Sequence, residues 1–200
     1  MTTQLLSVLA ALYIAGMVML RKSRFGLFGY LGRAFGCTAL GVMIAQVGQW
    51  NVGLGRVEAR TLMTLFGWMG LQIGGSDGAS VIVPDPTGWS VLNIGVECSA
   101  LIEAFIFTGL LLFYPRVPAG QRIERLLIGL AATYLINLVR MAVIIAMIHW
   151  LGKEAASLAH AVVARLIFFL GIVVVYWYLL TLPTLHVVRR ELEITGRAVL

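Results

Sequence analysis

Apolar residues run through this chain in long blocks rather than in alternation. Five blocks approach the roughly 20 residues that a spanning helix needs. They run approximately over Gln4–Leu20, Leu27–Trp50, Ile94–Tyr114, Leu126–Trp150 and Ala161–Leu182. The pattern changes between the second and third. Val57–Ile73 sets Glu58, Arg60, Thr61 and Thr64 among large apolar residues, which predicts an interfacial helix, with a short sixth span as the alternative. After "GGSDG", the stretch "SVIVPDPTGWSVLNI" places two short β-branched runs around Asp85-Pro86-Thr87-Gly88, the signature of a hairpin. The expected fold is an all-α polytopic membrane protein with about five transmembrane helices, an interfacial helix and a small extracytoplasmic β-hairpin. It forms a single integral membrane domain over 1–200. Residues 1–50 hold the first two helices, 51–93 the interfacial helix and hairpin, 94–182 a three-helix core and 183–200 a tail.

Composition agrees with the blocks. Of 200 residues, 60% are hydrophobic and 12% charged, about half the charged share of a soluble domain. The formal charge of +6 does not imply nucleic acid, because the basic residues cluster between apolar blocks. The basic connections are "RKSR" (21–24), the loop with Arg116, Arg122 and Arg125, and the tail with Arg189, Arg190 and Arg197. The positive-inside rule then predicts the N-terminus outside and the C-terminus in the cytoplasm of a plasma-membrane protein. The basic cluster following the first helix, with none before it, predicts a retained anchor rather than a cleaved signal. Gly32 and Gly36 stand at GxxxG spacing in the second helix, where they suit close helix packing. The two cysteines, Cys37 and Cys98, both fall in apolar segments, so no disulfide framework is expected.

Polar residues inside apolar helices carry the chemistry, since a charge at mid-membrane costs at least ~2.5–3.5 kcal/mol. Asn93, Glu97, Cys98, Ser99 and Glu103 crowd the start of the third helix. The fourth carries Thr133, Asn137 and Arg140 on one stripe. His160 opens the fifth, with Arg165 just beyond it. Arg140 could simply pair with Glu103 or Glu97. His149, at the end of the fourth helix, is a rival base, whereas His186 falls on the opposite side. Under the expected topology Cys98, Arg140 and His160 reach the same membrane face from three successive helices. A thiolate nucleophile, an imidazole to move its proton and a cation for the thiolate or oxyanion are what cysteine acyl transfer requires.

The ordered motifs "ECSA" (Glu97–Ala100), "NLVR" (Asn137–Arg140) and "AHAVVARLIFF" (Ala159–Phe169) resemble the exosortase/archaeosortase family of membrane cysteine transpeptidases. The resemblance covers roughly Ser80 to Leu182, and the chain looks like a compact branch, shorter than the common bacterial members. It implies Cys98, Arg140 and His160 as the catalytic set, with Asn137 orienting Arg140, and Glu97, Ser99 and Glu103 in support. It implies no metal or organic cofactor. It implies substrate proteins that carry a C-terminal motif, a transmembrane helix and a basic tail, cleaved at the outer face and transferred to a lipid or surface acceptor. Ala100 stands where the family often has glycine. Two alternatives stand beside it: a protease that uses the same residues but releases its product to water, and a non-enzymatic transporter subunit or assembly factor in which a buried Arg140–Glu103 pair is structural.

Overall fold

A computed structural model describes residues 26–75, 79–95, 98–114, 117–185 and 189. The expected first helix, the "RKSR" cluster, Glu97, Arg116, His186 and the residues after 189 lie outside them. Helix α1 (Gly26–Val47) turns at Gly48 and Gln49 into α2 (Trp50–Trp68). Three antiparallel strands follow in the order β1 (Gly74–Gly75), β2 (Ser80–Asp85) and β3 (Gly88–Asn93). Then come α3 (Leu101–Leu112), α4 (Ala119–Leu151) and a last helical stretch, α5 (Ala155–Leu185). Two widened π segments, Ala159–Val163 and Trp177–Thr181, interrupt α5.

The hairpin forms where the β-branched runs predict it. Ile82 faces Val91 and Asp85 faces Gly88. Asp85 closes the turn by accepting from the Thr87 amide and hydroxyl and from Ser90. These bonds, that from Ser90 foremost, hold its carboxyl below the usual range. The His149 ring donates from Nδ1 to the Pro84 carbonyl at 2.7 Å and so ties the hairpin to the end of α4.

The count of spans is corrected. Among the described residues three helices are long and apolar enough to cross a membrane: Phe28–Val47, Gly120–Leu151 and Ala155–Leu185. The expected third span, Ile94–Tyr114, is helical only over Leu101–Leu112, about 18 Å of rise and well short of a bilayer core. The preceding residues are spent on leaving the sheet: Ile94 donates to the Ala79 carbonyl and Cys98 to that of Gly95. The polar-flecked segment is a helix, but it starts at Trp50 rather than Val57 and is not among those apolar enough to span.

Small residues let the helices close up. Helices α1 and α3 run antiparallel, with a stripe of Ala34, Thr38 and Gly41 against Phe105 and Gly109. Along α4, Gly129 receives the Phe107 ring, and Gly171 of α5 receives Ile136. Two apolar cores result. One, around Leu62, Val81, Val83, Met141, Ile144 and Ile145, joins the sheet, α2 and the later turns of α4. The other, around Phe107, Leu111, Val117 and Val175, lies toward the opposite end. Cys98 belongs to the first, and Asn137 and Arg140 stand beside its Leu138 and Met141 on α4.

Candidate active site

The site is built on a turn. Cys98, Ser99 and Ala100 are all buried just ahead of α3. Ala100 adopts a left-handed conformation, φ 49° and ψ 11°, which L-residues other than glycine avoid at a cost of about 1–2 kcal/mol. That conformation redirects the chain from the sheet exit into the helix. Cys98 stands three residues ahead of Leu101, the first residue of α3.

Outside the helical ladder, the Cys98 carbonyl needs a donor, and α4 supplies one. Asn137, with no exposed surface, donates through Nδ2 to the Cys98 carbonyl oxygen at 2.7 Å and to Glu58 Oε1 at 2.9 Å. Glu58 is likewise fully buried. Burial raises its carboxyl pKa to about 7, against the opposing effects of the Asn137 hydrogen bond and the Arg140 charge. One turn below, Thr133 is satisfied locally by the Gly129 carbonyl.

Arg140, one turn beyond Asn137, is buried with its guanidinium carbon 5.3 Å from the centroid of the Phe168 ring, a cation–π contact. Arg140 also lines a cleft of about 360 Å³ with the half-buried Glu103 and with Arg165, Phe168, Phe169 and Ile172. His160 lies half-buried in the first π segment of α5. Its Nδ1 is buried with no hydrogen-bond partner among the described residues. Ala164, one turn on from His160, shares a buried cluster with Cys98. π segments recur at functional positions because they re-aim a side chain without ending the helix.

The predicted residues thus divide. The structure joins Asn137 to the Cys98 backbone and sets Arg140 one turn above Asn137, with Glu103 on the rim of the Arg140 cleft. His149 does not join them. It is twelve residues, about 18 Å, beyond Asn137 along α4, committed to Pro84. Cys37 sits half-buried on α1. Asn137 differs from its expected part of orienting Arg140: a guanidinium needs an acceptor, and the Asn137 Oδ1 has no hydrogen-bond partner among the described residues, while its N–H donors go to Glu58 and the Cys98 carbonyl. The sequence pattern presents Glu58 only as one polar residue of an interfacial helix, and the structure adds it to the site. Its signal lay in the spacing, since Gly55, Glu58, Ala59, Leu62 and Phe66 form the buried stripe of α2, and a carboxylate on such a stripe needs a partner. Among the described residues no group of three or more His, Cys, Asp or Glu side chains could hold a metal ion.

Compared with protein-family models, curated proteins and solved structures, the chain finds no match.

Proposed function

We propose that this protein is a membrane-embedded cysteine transpeptidase that processes C-terminal sorting signals at the extracytoplasmic face. The observation that carries the reading is the buried Cys98 turn, set at the mouth of α3 with its carbonyl held by a fully buried amide. In this reading the Cys98 thiolate attacks the substrate carbonyl, with Arg140 stabilising the oxyanion. The tetrahedral intermediate collapses to a thioester as the amine leaves with a proton from His160. An amine or hydroxyl acceptor on a lipid or surface polymer, deprotonated by His160, then attacks the thioester and frees the thiolate. Substrates with a motif, a membrane helix and a basic tail suit an enzyme that is itself held in the membrane.

The test is processing of a tagged sorting-signal substrate in cells. Cys98→Ala should abolish it with the protein still inserted, and Arg140→Lys should slow it about a hundredfold, the usual effect of losing an oxyanion donor. Wild-type processing by Cys98→Ala would remove the enzyme reading. A non-enzymatic protein is favoured by one observation: the Asn137–Glu58 bond joins α2 to α4, as a purely architectural clamp would. Under that reading Cys98→Ala is silent.

A further inference from the structure

Glu58 occupies a position where packing alone calls for a leucine. It lies on the buried stripe of α2, between Gly55 and Leu62. A methyl group on Gly55 would come within 2.8 Å of the Ala79 side chain and 3.0 Å of the Ile94 carbonyl. Helix α2 is thereby pressed, one turn before Glu58, against the residues that flank β2 and β3 on the way to Cys98. The close approach puts the carboxylate where it meets Asn137.

The amide geometry gives the carboxylate its task. An asparagine NH₂ has two hydrogens, and here both are used, one by Glu58 Oε1 and one by the Cys98 carbonyl. Turned over, Asn137 would present its own oxygen to these two acceptors. With Glu58 gone, the amide is held at one point, and the second buried N–H loses its partner. We infer that Glu58 is a positioning residue for the reaction proposed above, fixing the orientation of the Asn137 amide that anchors the Cys98 backbone. The inference rests on that reading for its catalytic consequence.

Two readouts in a Cys37→Ser background separate the two claims: the rate of Cys98 alkylation by iodoacetamide, and processing of the tagged substrate. Glu58→Gln retains an acceptor oxygen and should stay within about threefold of the parent in both, as expected where hydrogen-bond geometry is kept. Glu58→Leu should change the alkylation rate several-fold and cut maximal processing by about tenfold or more, with little change in apparent substrate affinity. Glu58→Leu combined with Asn137→Leu removes both side-chain polar groups of the clamp and leaves only the Cys98 carbonyl without its Asn137 donor, so it should accumulate yet process no better than either single variant. Should Glu58→Leu alone fail to accumulate, that double variant decides. Parent-like processing and alkylation by the double variant, or equal impairment by Glu58→Gln and Glu58→Leu, would overturn the inference. Unimpaired processing by Cys98→Ala would instead overturn the enzyme reading, while the alkylation shift still tests whether Glu58 positions the thiol.

Discussion

Ala100 holds a φ of 49° that a side chain resists, so a glycine there should relieve more than it costs. Ala100→Gly is expected to stabilise the protein by up to about 1 kcal/mol, set by the left-handed penalty less the entropy of glycine. Thermal unfolding in detergent would register it as a raised midpoint, whereas Ala100→Val should lower the midpoint. Glu58 invites a second residue-scale prediction. Its folded pKa is raised from the ordinary 4.5 to about 7, so between those values the folded state binds more protons than the unfolded one. Stability should therefore fall as pH rises through that window and level off above it. Midpoints taken between about pH 5 and about pH 8 should decline in the parent protein and lie flatter in Glu58→Gln. An equal slope in both would remove Glu58 as the source.

Helix pairing depends on surfaces too close for side chains. A methyl on Gly109 would stand 2.6 Å from the Ala34 carbonyl oxygen and 2.9 Å from Thr38 Oγ1. Backbone cannot yield as a flexible side chain can, so Gly109→Ala should cost about 1–3 kcal/mol. Gly29, on the same partner helix, has nothing within 4 Å, and Gly29→Ala should be neutral or slightly stabilising. A comparison of the two midpoints tests the antiparallel α1–α3 contact directly, since equal effects would mean that the helices do not meet there. Tyr30, donating to the Leu110 carbonyl at 2.9 Å, reinforces the same pair. At the other end of α3, Arg122 donates to the Leu112, Tyr114 and Val117 carbonyls and closes the helix that the sheet exit began.

Across the whole molecule, the 33 residues of α4 rise about 50 Å, against a bilayer core of about 30 Å. The surplus carries the later turns of α4, and with them the hairpin held by His149, beyond the depth of Arg140. Under the proposed orientation this cap faces outward, and the loop before Arg122 faces the cytoplasm. In a cysteine-free background, an impermeant maleimide should label Gly88→Cys and Lys153→Cys in intact cells. Gln121→Cys should be labelled only after lysis. The opposite pattern would invert the topology and set the candidate site facing the cytoplasm.

The residue pattern by itself determined whatever depends on local periodicity and composition. Long apolar blocks specify helices because a backbone in oil must satisfy its own hydrogen bonds. β-branched runs around Asp85-Pro86-Thr87-Gly88 specify a hairpin, because turn residues and pleat are local properties. Cys98, Asn137, Arg140 and His160 were legible as candidates because polar groups on apolar helices are conspicuous. Only the tertiary structure decided which partner each polar group meets. It gave Asn137 to Glu58 and the Cys98 carbonyl, and His149 to Pro84, since hydrogen bonds across 39, 79 and 65 residues of chain leave no local trace. It also shortened α3, because the sheet exit and the left-handed Ala100 took up residues whose hydrophobicity alone reads as helix. Apolar composition says that a segment is buried, but the geometry of its neighbours decides in what form.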